Sequence, residues 1–390
     1  MRVPQSRQAI GVVGLFVGMA VPCLAQDRAI LRLTKPEVVV ADPLTSVTAV
    51  RELRDGRLIV LDYLDSKVLV LDARFAAATQ VGRAGNGPGE YAIPHRLFRL
   101  GGDSSAVSDY ANTRLLIVTP DAKPGGFVNS RLGIGCGDRG PKHRAVQATD
   151  GLGRFYAEAA PLEIKNGRLE PTDSAAVERW TAECTVDTVA FVPNPFGRDG
   201  SMVVGGFVVG KPRPVAPFRA STQWVVSGNG RVAVVRPQPY SVIFVDPSGK
   251  RIVGPPISFA RVRVTSAVKE HWREERRRPV PVITTFRDGG GRISMERPAY
   301  DEPPSWPEYL PPFLDDAARF DEEGRIWVER ALGPRDPPTY DVIDAAGKFL
   351  MQVWLRPASH VVGFGRGVAY VVRRDDNDFA YLERYRLPSR

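Results

Sequence analysis

Histidine is the scarcest of the residues here that could do chemistry, with four in a chain of 390. Three of them, His95, His143 and His360, each open a β-type run in equivalent register, so a fold that repeats would bring them toward one place. Imidazoles gathered in that way suit a bound divalent cation or a general base. Polar neighbours that would line the same place are Arg96, Arg144 and Asp316. The more economical expectation is that all of these line a wet channel. No stronger catalytic signal competes: there is no Gly-x-Ser-x-Gly elbow, no His-Glu-x-x-His, no paired Cys-x-x-Cys and no phosphate-binding loop. The glycines of Gly85-Asn86-Gly87-Pro88-Gly89 have no lysine in register behind them and read as turn formers. Asp62 and Asp65, with Asp109 and Asn112, supply oxygen donors of the kind calcium uses. Each pair falls in a hairpin, where such side chains bond to the backbone and hold the turn, and that is the expected role.

The elements that must position these residues are announced by a repeat. Asp109-Tyr110-Ala111-Asn112-Thr113-Arg114-Leu115 restates Asp62-Tyr63-Leu64-Asp65-Ser66-Lys67-Val68, 47 residues on. In both copies an apolar run follows and then a polar turn. A unit of that length built from short strands is one blade of a β-propeller. Strands of a first blade are expected at 46–52, 57–63, 67–72 and 78–82, and of a second at 95–100, 105–109, 114–119 and 127–132. A third holds 153–159, 175–180 and 187–192, a fourth 223–226, 231–235, 240–246 and 251–256. The fifth echoes the fourth, with matching turns at Asp246-Pro247-Ser248-Gly249-Lys250 and Asp344-Ala345-Ala346-Gly347-Lys348. A last blade has three strands of its own, at 360–363, 368–373 and 380–387. The expected fold is therefore all-β, a six-bladed β-propeller. Residues 29–33 are expected to pair with 380–387 and so close the ring, which removes a ragged edge.

One segment, 265–313, lies outside the blade pattern, between blades four and five. Thr265 should cap a helix running through Val268 and Trp272 to the basic stretch 273–278, stopped by Pro279. A Pro- and aromatic-rich stretch with Trp306, Tyr309 and Phe313 follows. Loops of this length tend to form lids or binding loops.

Bulk properties narrow the function. Residues 1–25 have a basic start, an apolar run too short to span a membrane, and Pro22-Cys23-Leu24-Ala25 at a cleavage site: the layout of a signal peptide. Pro22 before Cys23 does not suit lipid attachment. The mature chain, 26–390, is then exported to the periplasm or the medium, has no membrane span, and keeps Cys136 and Cys184 of the three cysteines. Their places in different parts of their blades argue against a bridge. The formal charge of +9 falls to +7 once Arg2 and Arg7 leave. Such a balance suits solubility or anionic partners outside the cell. No nucleic-acid motif is present.

The quoted repeats resemble the NHL repeat, whose blades carry Asp-x-x-Asn-x-Arg-aliphatic: Asp109, Asn112, Arg114 and Leu115 fit it, and Asp62, Asp65, Lys67 and Val68 fit with conservative changes. The stretch from Gly363-Phe364-Gly365 to Tyr381-Leu382-Glu383-Arg384-Tyr385 is similar to the last blade of exported propellers of the NHL and TolB-like groups. That resemblance implies a fold that hosts both enzymes and binding platforms. The expected function is a non-catalytic platform for a protein, small-molecule or polymer ligand. Its face would carry His95, Arg96, His143, Arg144, Asp316 and His360, overhung by Trp306 and Tyr309. The alternatives are a hydrolase, lactonase or lyase at the same mouth, and a subunit of a periplasmic or cell-surface assembly. No cofactor is implied, a channel-bound divalent cation being the one exception to consider.

Overall fold

The computed structural model describes residues 29–42, 44–133, 144–194, 202–204, 207–209, 216–286 and 291–388. The proposed signal peptide, Cys136 and His143 lie outside them. The described chain is a six-bladed β-propeller with a single helix. Reading each blade from the channel outward, blade one is Val47–Glu52, Leu58–Asp62, Lys67–Leu71 and Ala78–Gln80. Blade two is Pro94–Arg99, Ser105–Asp109, Arg114–Val118 and Pro124–Asn129. Blades three to six begin with the inner strands Ala148–Thr149, Gln223–Val226, Ala318–Phe320 and Ser359–Gly365.

The strands read as continuous apolar runs because both faces of each blade are covered. In Leu58–Asp62, alternate side chains point opposite ways. Leu58 and Val60 pack on blade six with Val362 and Tyr370. Ile59 and Leu61 pack on blade two with Val107 and Leu116. Four further apolar clusters fill the remaining gaps between neighbouring blades. The core is thus a ring of interfaces, and the channel is left to polar side chains.

Turn chemistry follows the sequence closely. Asp246 Oδ1 accepts from the amides of Ser248 and Lys250 at 2.9 Å each, and Asp344 Oδ1 does the same for Ala346 and Lys348 at 2.8 Å. Gly249 and Gly347 take φ of 86° and 81°, a region costly for other residues.

The ring is closed by the N-terminal segment, but not by the expected residues. Ile30–Leu33 runs parallel to Phe349–Leu355 on the outer edge of blade five, with Ile30 opposite Gln352. The chain bends at Lys35-Pro36, and Val38–Val39 then pairs antiparallel with Ala380–Arg386, Val38 opposite Arg384. Leu44 continues this pairing opposite Ala380. The segment holds two apolar runs rather than one, and the second supplies the missing strand of blade six.

The third blade brings another correction. Arg144 does not open the innermost strand, which is Ala148–Thr149; it sits in a two-residue strand paired with Arg131–Leu132. Cys184, in the turn of blade three's outer hairpin, is disulfide-bonded, contrary to the expectation of no bridge. The helix Ser266–Arg277 is capped as expected, the Thr265 hydroxyl accepting from Val268 N. A hairpin, Val280–Thr285 with Gly291–Glu296, comes next. No helix among the described residues is long and apolar enough to cross a membrane.

Candidate functional site

In each blade the inner strand starts on one face of the disc, and the turn joining the second and third strands returns to that face. On blades one and two these turns begin with Tyr63 and Tyr110, each directly after a buried aspartate that ends the second strand. Asp62 accepts from the amides of Thr45 at 3.0 Å and Ser46 at 2.7 Å. Asp109 accepts from Ala92 and Ile93 N on one oxygen and from Asn112 Nδ2 and Arg114 Nε on the other. Both carboxylates therefore hold the turn to the connection entering the inner strand, which is the structural role expected of them.

His95, near the start of the inner strand of blade two, lies between the two tyrosines. Its ring centroid is 5.8 Å from that of Tyr63, edge to face at 74°, and 5.8 Å from that of Tyr110 at 52°. Tyr63 is buried, whereas Tyr110 is 55 % exposed and offers its ring to the mouth. Burial, helped by the Arg96 charge, lowers the His95 pKa, so the imidazole is neutral near pH 7. Burial and the nearby Tyr110 raise that of Tyr63. The two tyrosines were not among the expected site residues, although the repeat itself marks them: they occupy the same position in both copies.

His360 occupies the corresponding strand of blade six. Burial first, then the charges of Arg319 and Arg374, lower its pKa to about 4. His143, the third histidine of the expected set, lies outside the described residues, and among those residues no group of three His, Cys, Asp or Glu side chains could hold a metal ion. Because the unfolded imidazole, at 6.5, takes up a proton across a window in which the folded one stays neutral, stability should be full above pH 6.5. It should fall as pH drops toward about 4. Replacing His360 with Gln should flatten that fall by no more than about 3 kcal/mol, measured from urea midpoints on either side of the window. An unchanged pH profile would refute the assignment.

The remaining expected residues are held by other contacts. Arg96 donates to the Gln147 carbonyl at 3.3 Å, tying blade two to blade three. Arg144 pairs with Glu178 at 2.8 Å, both mostly buried. Asp316 is exposed with φ 60°, and its carbonyl accepts from Arg319 at 3.3 Å. Trp306 packs with Trp272, centroids 5.2 Å apart, and with Phe218 at 5.9 Å. Tyr309 lies under the Arg261 guanidinium at 3.8 Å. The aromatics of the insertion thus build a small core of their own and anchor it beside Leu310 and Val268.

What the insertion brings to the mouth is its hairpin. Gly291 lies so close to blade two that a methyl group on it would sit 3.0 Å from Ala111 Cβ and from Ile93 Cδ1. Ala111 follows Tyr110, and Ile93 precedes the strand of His95. A segment rooted between blades four and five therefore reaches blade two at Gly291, against residues that flank Tyr110 and His95. It is lightly held: Ile283 and Ile293 face one another and are only half-buried, and Met295 is 52 % exposed. An isolated two-stranded hairpin is marginally stable.

No family model matches the sequence, and no curated protein does. Solved structures with the same kind of fold include a candidate exported protein from Bacteroides fragilis, 14 % identical over 93 % of this chain and 100 % of that one, TM-score 0.47. Regucalcin, a calcium-binding protein from Agrobacterium tumefaciens, is 11 % identical over 93 % and 99 %, TM-score 0.42. Virginiamycin B lyase from Staphylococcus aureus is 9 % identical over 91 % and 89 %, TM-score 0.36. These likenesses concern the fold alone.

Proposed function

We propose that the protein is an exported binding platform that takes a small-molecule ligand at the mouth carrying Tyr63, His95, Tyr110 and His360, beneath the 280–296 hairpin. The observation that supports this reading most is the reach of that hairpin. Nothing in the blade repeat requires an arm from blades four and five to touch blade two, as it does at Gly291. Its light packing suits a cover that opens and closes. Below it, an exposed tyrosine ring and a neutral imidazole offer a flat apolar face beside a polar group that can both donate and accept, the mixture common in ligand pockets.

A second reading rests on His95 itself. A neutral imidazole among phenols can remove a proton from a bound ligand, so a lyase or hydrolase working at the same mouth remains the rival. A panel of aromatic and sugar ligands, screened by thermal shift, separates the cases. For any ligand that binds, Tyr110→Ala and replacement of 281–295 by a short Gly-Ser linker should each weaken binding by about ten-fold, or roughly 1.4 kcal/mol, with unligated stability unchanged. Full affinity in both variants overturns the proposal. Chemical conversion of the ligand that is lost in His95→Gln, while binding persists, favours the rival.

A further inference from the structure

The opposite face of the disc has a mouth of its own, made by the turns between first and second strands, and it is lined from all six blades. The cavity there is about 290 Å³, at the lower limit of small-molecule pockets, which start at roughly 300 Å³. Its wall has no aromatic side chain. Blades three and four contribute only backbone, through Gly151 and Gly228, whose amide and carbonyl bond directly at 2.8 Å. A side chain at Gly151 would strike that carbonyl, a Cβ coming within 3.0 Å of it. The space is therefore kept open by glycine and surrounded by charge.

Four guanidinium groups face three carboxylates in this cavity. The carboxylates are already engaged. Asp103 pairs with Arg51 at 3.1 Å and accepts from Arg54 N at 2.8 Å. Glu322 pairs across the channel with Arg99, joining blades two and five. Glu52 accepts from the Tyr370 hydroxyl at 2.6 Å. The guanidinium groups are less well supplied. Among the described residues, Arg54 and Arg366 have no carboxylate partner, Arg366 reaching only the Arg54 carbonyl at 3.3 Å. Arg51 is 7 % exposed, and its Nε is buried with no acceptor. Burial, and then the neighbouring Arg99 charge, lower the Arg51 pKa to about 10. Cations crowded in this way, around a space too small for a drug-sized ligand and with only Leu53 and Leu100 as apolar side chains in its wall, match a compact anion.

We propose that this second mouth is a binding site for a small oxyanion of two or more negative charges, phosphate being the simplest, gripped by Arg54 and Arg366 at the rim with Arg51 and Arg99 behind them. Guanidinium forks bond phosphate oxygens in pairs, which selects such an ion over chloride. The site is independent of the ligand mouth on the other face, so the two can be tested apart.

The test titrates inorganic phosphate into the mature protein by calorimetry, in a background of sodium chloride matched in ionic strength. Saturable binding is expected for the unaltered protein. It should weaken by at least about ten-fold in Arg54→Gln/Arg366→Gln, a rim change that breaks no ion pair and should leave the unligated melting temperature in place. His95→Ala should bind phosphate as the unaltered protein does. Failure of the unaltered protein to bind phosphate above the chloride background overturns the proposal. So does full affinity in the double variant, and so does loss of phosphate binding in His95→Ala, which would place the anion at the other mouth. Should the double variant fold poorly, Arg366→Gln alone, at an exposed position, carries the same comparison.

Discussion

Replacing Asp109 with alanine is expected to destabilise the protein by roughly 3–5 kcal/mol, the cost of removing one partner from a buried charged network. Its side chain is fully buried and takes four donors. Two are the backbone amides of Ala92 and Ile93, which lead into the inner strand. The other two are Asn112 and Arg114, on the far side of the turn. Arg114 also donates to the Glu90 carbonyl at 3.0 Å and the Asn86 carbonyl at 3.1 Å, and lies over the Phe127 ring at 3.8 Å. Alanine leaves two amides without an acceptor and takes from the Arg114 guanidinium its one carboxylate partner, leaving it the two carbonyls alone. Asparagine keeps one acceptor but sets an NH₂ against Asn112 and Arg114, so its loss should be smaller, about 1–3 kcal/mol. Urea unfolding with a fixed slope measures both. An Asp109→Ala midpoint equal to that of the unaltered protein would show that the network is not what holds the turn. Because Tyr110 follows Asp109 and Ile93 lies against Gly291 of the hairpin, the same change should also weaken ligand binding at that mouth.

Strand positions were legible because a blade covered on both faces leaves a continuous apolar run between turn residues, and those turns carry their own chemistry. The Asp246 and Asp344 turns show this: one aspartate, a glycine at positive φ, and two amides caught by one oxygen. The signature Asp109-x-x-Asn112-x-Arg114 could be read the same way, since every member bonds within the turn or to the loop just before it.

The sites were less legible, and the reason is distance along the chain. Arg99 and Glu322 meet across the channel although 223 residues separate them. Arg51, Arg54 and Arg366 reach the same cavity from two blades at opposite ends of the sequence. No spacing rule connects such residues, so a cavity assembled from all six blades leaves no local pattern. The histidines show a related limit of sequence spacing. Equivalent register brings residues to the same height in the ring, but it does not by itself say which side chains meet. Tyr63 and Tyr110 are the counterexample: they come from adjacent blades, and the repeat that placed them was visible.

The N-terminal segment shows how two local signals of similar strength are resolved by packing, and truncation should expose the difference. Leu33 is 4 % exposed, in the cluster between blades five and six, and Val40 is 6 % exposed, in the cluster between blades six and one. Removing everything before residue 36 costs blade five an added fifth strand and the Leu33 side chain, but leaves that blade four strands of its own. The expected loss is about 2–4 kcal/mol, from one buried leucine and a short strand. Removing everything before residue 46 also takes the backbone bonds from Glu37 to Arg384 at 2.7 Å, Val40 to Leu382 at 2.9 Å and Leu44 to Ala380 at 2.8 Å. Blade six is then reduced to three strands, and Ala380–Arg386 becomes a bare edge. That edge is a template for pairing with another chain, so the longer truncation should lose more than about 5 kcal/mol and aggregate on heating. Thermal unfolding with light scattering compares the two. If both truncations melt at the same temperature, residues 37–44 do not close the ring, and the contacts of blade six with blade one must hold it shut without them.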